Sequence, residues 1–145
     1  MADFDPGEFL ALAVKLSTTE PTEAAYRTCI NRLYYACHLT GIYSTAAKGW
    51  FVPAHSAADH RGLVTCLKGR VSWYTQLEDL LEMREHADYH ITPRLSGQSR
   101  ACKYCSDGDS TKFNINQETW DRALGIAQYL HPRLRNIAPT TPTKS

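Results

Sequence analysis

No apolar run in this chain is long enough to cross a membrane, so no membrane partner is expected. The opening Met-Ala-Asp-Phe-Asp-Pro is acidic where a secretory signal would be basic. The cysteines are five in number (Cys29, Cys37, Cys66, Cys102 and Cys105), which leaves no even-numbered disulfide framework. Free thiols in a cytoplasmic protein are the simpler expectation. The net charge is only +1, so no global basic field advertises nucleic acid, and any such site must rest on local clustering. Neither an internal repeat nor strand-like alternation is present. What survives these exclusions is helical.

The chain has 145 residues, 43% hydrophobic and 21% charged, enough to bury a core without metal or disulfides. Asp5, Pro6 and Glu8 read as a helix start with Asp5 as the cap. Phe9, Leu10, Leu12, Ala13 and Leu16 then outline a short amphipathic helix. A long helix follows from about Thr22 to His38 or Tyr43, with Tyr26, Cys29, Ile30, Leu33, Ala36 and Cys37 inward. Residues 49–59 read as a loop, and a third helix over residues 57–69 turns Leu63, Val64 and Leu67 inward. The fourth helix starts near Val71 or Ser72 and ends near Ile91, because Thr92 precedes Pro93.

Residues 93–115 hold Pro, Gly, Ser and Lys without period and form a loop insertion. Asn116 caps a last helix carrying Trp120, Ala123, Leu124, Ile126, Ala127, Leu130 and Leu134, which Pro132 should kink or end. The expected class is all-α: one domain over residues 1–137, an up-and-down bundle of four main helices plus a short N-terminal one. Residues 138–145 are an expected disordered tail.

One residue breaks the pattern of the fourth helix. Trp73, Tyr74, Leu77, Leu80 and Leu81 define an apolar face, and the next positions on it are Arg84, Asp88 and Ile91. A cation and a carboxylate thus enter a seam built for apolar side chains, where charges need a partner or a purpose. Arg84 and Asp88 are i,i+4 neighbours, so a partly buried ion pair that fixes helix register, capped by Tyr89, is one reading. The second long helix adds another stripe opposite its core. Arg27, Asn31, Tyr34 and His38 follow steps of four, three and four, and offer donors and rings suited to phosphate and base. A merely solvated face is the alternative there.

These residues carry a resemblance. Asn31-Arg32-Leu33-Tyr34-Tyr35-Ala36-Cys37-His38 is similar to the R-x-Y-Y-A-x-[FH] signature of HEPN-domain proteins, and Arg84-Glu85-His86-Ala87-Asp88-Tyr89 to their later R-x-x-A-D-Y signature. His55-Ser56 resembles the family's lead-in to its third helix. The helix order agrees from about Pro6 to about Asn136. The resemblance implies a helical bundle that dimerises. Many active members are metal-independent endoribonucleases with an R-x4-6-H motif, and several are toxins paired with a nucleotidyltransferase antitoxin. Here five residues separate Arg84 from His90, within that allowance.

By the same resemblance Arg84 would stabilise the phosphate and His90 would move the proton. Attack by the 2′-hydroxyl would leave a 2′,3′-cyclic phosphate, and DNA would resist. Asp88, Tyr89 and Glu85 support the pair, Glu85 standing where active members usually carry Asn, Asp or His. On a regular helix six positions turn a side chain by about 240°. Arg84 and His90 therefore meet only if the helix unwinds before Pro93, or across a dimer cleft. Tyr89 is the tyrosine such an antitoxin would adenylylate. A non-catalytic module that binds RNA, nucleotide or a partner through Arg27, Asn31, Tyr34 and His38 is the alternative function.

Metal is the third possibility. His86 and His90 stand at chelating i,i+4 spacing, and Cys102-Lys103-Tyr104-Cys105 is a single C-x-x-C that would need a second pair. A zinc-stabilised domain is thus weighed behind the other two, and no cofactor or metal is expected.

Overall fold

The computed structural model describes residues 4–89 and 115–138, which form an all-helical bundle. Among the described residues there are five helices: α1 (Gly7–Thr19), α2 (Glu23–Ala47), α3 (Ala58–Lys68), α4 (Tyr74–Tyr89) and α5 (Gln117–Arg135). The leading helix has 13 residues and exceeds α3, which has 11. The expected loop at 93–115 and tail at 138–145 lie outside the described residues, except for buried Ile115 and for Ala138.

Local chemistry sets most helix ends. Asp5 accepts a hydrogen bond from the Gly7 amide at 2.9 Å, although Pro6 and not Asp5 occupies the cap position itself. Thr22 caps α2 by accepting from the Ala25 amide, and Asn116 caps α5 by accepting from that of Thr119. The second helix runs past the expected limit of Tyr43. It stops where Gly49 takes φ 79°, with the Gly49 amide on the Ala46 carbonyl and the Trp50 amide on that of Thr45. This is a Schellman closure, and it needs the freedom of glycine.

Pro132 does not end the last helix, which continues to Arg135. A proline there removes one bond, to the carbonyl of Gln128. Gln128 is exposed, so that carbonyl is open to water, and Leu134 beyond it is fully buried. Packing outweighs one missing hydrogen bond.

The core gathers around α2, which packs against every other helix. Cys29, Ile30, Leu33 and Cys37 meet Leu77, Leu80 and Leu81 of α4, Leu63 and Leu67 of α3, and Ala123, Leu130 and Leu134 of α5 in one apolar cluster. Tyr26 stacks on Trp120 with ring centroids 6.2 Å apart and donates its hydroxyl to Gln117 at 2.7 Å. Leu12, expected on the inner face of α1, is largely exposed, while Ala13 is buried as expected and Ser17 is buried beside it.

Gly41 sets how closely α3 and α5 approach α2. A β-carbon added there would lie 2.8 Å from Leu63 Cδ2 and 3.2 Å from Leu134 Cδ2. Both neighbours are fully buried, so neither has open space to move into. Gly41→Val should therefore destabilise the fold by about 2 kcal/mol in chemical denaturation, within the usual range for overpacked cores. An unchanged unfolding midpoint would mean that the two leucines give way without cost.

Candidate functional site

The apolar face of α4 continues through Arg84 as its spacing requires. Arg84 retains only 7% of its exposure, and Leu77, Leu80 and Leu81 are buried on the same side. Met83, His86 and Ala87 are buried as well, because α2, α3 and α5 all touch this helix. The Arg84 guanidinium lies 5.2 Å from the centre of the Tyr34 ring and 5.9 Å from those of Tyr35 and Tyr89. Its Nη1 approaches Asp88 Oδ2 at 3.4 Å, a long ion pair, and its buried Nε has no hydrogen-bond partner among the described residues. The same Asp88 oxygen accepts from Asn31 Nδ2 at 2.9 Å. One carboxylate oxygen thus serves two donors, and the cation is incompletely neutralised.

The Arg27–His38 stripe is not an open face. Tyr34 is 1% exposed and His38 5%. Arg27 donates to the His86 and Ala87 carbonyls at 3.3 and 2.9 Å, a favourable place for a cation at the end of α4. It also pairs with Glu23, whose carboxylate accepts from the Ile115 amide and so ties α5's lead-in to α2. Asn31 accepts from Arg32 and donates to Asp88. The stripe therefore packs inward against α4 and α3, which corrects its placement opposite the core. Four helices pack against α2, and its exposed residues are Ala24, Thr28, Tyr43, Ala46 and Ala47.

His60, on α3, joins the cluster from outside both stripes. Its Nδ1 lies 2.6 Å from the Tyr34 hydroxyl, which also meets His38 Nδ1 at 3.2 Å. The two imidazoles are 4.6 Å apart, bridged by one phenol. His60 stands three, four and seven positions before Leu63, Val64 and Leu67, on the apolar face of α3. It is thus the same kind of signal as Arg84, a polar residue in an apolar register.

The position of His60 is fixed by its neighbour. Asp59 accepts from the Ala54 and His55 amides at 2.8 and 2.9 Å, with His55 at φ 60°, and this clip sets the start of α3. Those hydrogen bonds, first that from Ala54, hold the Asp59 carboxyl below its ordinary value against the opposing effect of burial.

Electrostatics keeps both imidazoles neutral near pH 7. Burial pushes His38 down to about 4, helped by His60 and Arg84. Burial also lowers His60, helped by Arg84 and opposed by Glu85 and Asp59. Burial raises the Tyr34 phenol, so it stays protonated. The cluster holds a cation with spare donor capacity beside neutral imidazoles and tyrosine rings. Such a set can bind an anion and accept a proton.

The remaining expected residues are scattered in kind. Tyr89 is 63% exposed at the mouth of the cluster, Glu85 is half-buried and interacts with Tyr34 and His60, and Asp88 belongs to the pair already described. His90, Cys102 and Cys105 lie outside the described residues, while His86 is buried. Among the described residues no group of three or more His, Cys, Asp or Glu is arranged to hold a metal ion. Nor is any helix among them long and apolar enough to cross a membrane. Comparison with protein-family models, curated proteins and solved structures finds no match to the chain.

Proposed function

We propose that this protein acts on RNA as a metal-independent endoribonuclease of the HEPN kind, working as a homodimer in a toxin or defence role. One observation carries the reading: Arg84 is buried among tyrosine rings, with Nε unpaired and Asp88 shared with Asn31. A guanidinium in that state favours a second anion, and a phosphodiester supplies one with matching geometry. In this reading Arg84 draws the scissile phosphate toward the neutral imidazoles and stabilises the charge that builds on it.

The 2′-oxygen attacks phosphorus, the bond to the 5′-oxygen breaks, and the products are a 2′,3′-cyclic phosphate and a 5′-hydroxyl. The resemblance gives His90, the next residue in the sequence after α4, one proton transfer, from the 2′-hydroxyl or to the leaving 5′-oxygen. The proposed regulator is a nucleotidyltransferase antitoxin that adenylylates Tyr89, whose exposure suits modification. The test is incubation of single-stranded RNA and the matching DNA in EDTA with wild type, Arg84→Met and His90→Ala. The expected result is RNA cleavage by wild type alone, with cyclic-phosphate ends and intact DNA. Equal behaviour of all three proteins would sink the assignment.

The same observation has a second side. The long bond to Asp88 and the Asn31 bridge also suit a structural arginine in a non-catalytic module that binds nucleotide, RNA or a partner. No cleavage by any variant, with RNA binding retained in Arg84→Met, would favour that reading. The zinc-stabilised domain is the third, tested by elemental analysis of the purified protein.

A further inference from the structure

We infer that His60 is the general base of the Arg84 site, and that Tyr34 and His38 are positioning residues that hold its ring in the tautomer the chemistry requires. The inference rests on the ribonuclease reading and adds to it a proton acceptor from α3, which neither sequence signature includes. Three features of the geometry lead to it.

First, the Tyr34 hydroxyl is a single donor placed between two ring nitrogens. It has one proton, so it donates to one imidazole and accepts from the other. When His60 Nδ1–H donates to the phenol oxygen, the phenol donates to His38 Nδ1 and the chain of hydrogen bonds is complete. His60 Nε2 then keeps its lone pair, as a base requires. Second, His60 is half-buried whereas His38 is 5% exposed, so His60 is the ring of the pair within reach of a substrate. Third, His60 and Arg84 lie against the same two rings. His60 is 5.5 Å from the Tyr34 centroid and 5.9 Å from that of Tyr35, and Arg84 is 5.2 and 5.9 Å from them. Both groups thus border the Tyr34 and Tyr35 rings, Arg84 acts electrostatically on His60, and the inference places a phosphate held by Arg84 within reach of this imidazole.

The charges around the ring fit the role. Tyr34, Tyr35 and His38 face it from α2, Asp59 adjoins it on α3, and Arg84 and Glu85 face it from α4. Burial and Arg84 keep the ring unprotonated before substrate arrives, which a base needs. In the step itself the 2′-oxygen gives its proton to His60 Nε2 and its electron pair to phosphorus. The phosphorus–5′-oxygen bond breaks toward oxygen, which takes the proton that the ribonuclease reading gives to His90. The proton that His60 has accepted returns to solvent, from which that donor is recharged.

The test combines histidine nitrogen NMR with kinetics of the full chain. Near pH 7 the wild-type spectrum should show His60 protonated at Nδ1 and His38 at Nε2, the reverse assignment overturning the proposal. His60→Gln should lower the rate of RNA cleavage by about 100-fold or more while KM changes little. Tyr34→Phe should cost about 10-fold, return His60 to a mixture of tautomers and move the acid limb of the pH–rate profile. Those last two readouts are ones that a merely structural tyrosine would leave alone.

If wild type cleaves RNA and His60→Gln cleaves equally well, the base assignment falls and the ribonuclease reading stands. If wild type does not cleave RNA at all, both fall. Unchanged tautomers and pH profile in Tyr34→Phe would remove the positioning role.

Discussion

Arg84→Ala is expected to cost about 3 kcal/mol of folding stability, whereas Arg84→Met should cost about 1 kcal/mol or less. The difference follows from what each change leaves behind. Both changes take the cation from Asp88 and leave it the Asn31 amide, but alanine also opens a hole beneath the Tyr34 and Tyr35 rings. Methionine fills the same slot between the rings and removes a charge whose burial was never fully compensated.

The contrast with the Arg135–Asp5 pair makes the scale plain. Both of those side chains are about half exposed, so losing that pair should cost well under about 1 kcal/mol. Function should split the other way. Arg84→Met keeps the fold but loses the guanidinium, and RNA cleavage should fall by at least about 100-fold, as when one transition-state donor is removed. Urea denaturation and cleavage assays on the same two variants test both halves. A folded Arg84→Met protein with wild-type cleavage would confine Arg84 to structure.

Stability should also fall by about 3 kcal/mol as pH drops from 6.5 to 4, and His38 is the main reason. The unfolded ring binds a proton near 6.5, while the folded ring binds one only near 4. Between those values the unfolded chain holds more protons, so lowering the pH favours unfolding. Above about 6.5 both states hold the ring neutral and the loss vanishes. His60 and His131 are shifted in the same direction, chiefly by burial, and steepen the slope. The Asp59 carboxylate acts in a separate, lower window. Its folded value is depressed, so its contribution is lost only as the pH falls below the ordinary carboxylate range. His38→Gln should flatten the dependence between pH 6.5 and 4 when stabilities are measured by urea titration. Equal wild-type stability at pH 7.5 and pH 5 would contradict it.

The parts of this site legible in the sequence were those written in helical period. Arg84 was found because it interrupts Leu77, Leu80 and Leu81, and the structure buries it where that spacing puts it. Its pairing with Asp88 was legible for the same reason, since i,i+4 neighbours on a helix must meet. Arg27, Asn31, Tyr34 and His38 do share one face, but that face turns toward α4 and α3 and not away from the core. Periodicity tells which residues share a face, and not how many neighbours a helix acquires.

His60 carried the same signal as Arg84 on a shorter helix, three positions ahead of Leu63. Its meaning depended on Tyr34, 26 positions away in the chain. The passage of α5 through Pro132 goes against a local signal because burial of Leu134 outweighs it, and the last turns of α2 to Ala47 are held by burial of Ser44 and Thr45.

By itself the sequence determined the helices, the start near Thr22, the cap at Asn116, the apolar stripes and the misplaced cation, because each follows from neighbours within a turn or two. Only the tertiary structure decided what that cation faces. Packing α2 against α3 and α4 turned an apparently outer stripe inward, set one phenol between two imidazoles and placed Arg84 against its ring. Apart from Tyr34–His38 within α2, those contacts join residues 26 to 60 positions apart, and their geometry comes from how the helices pack, which no local spacing records.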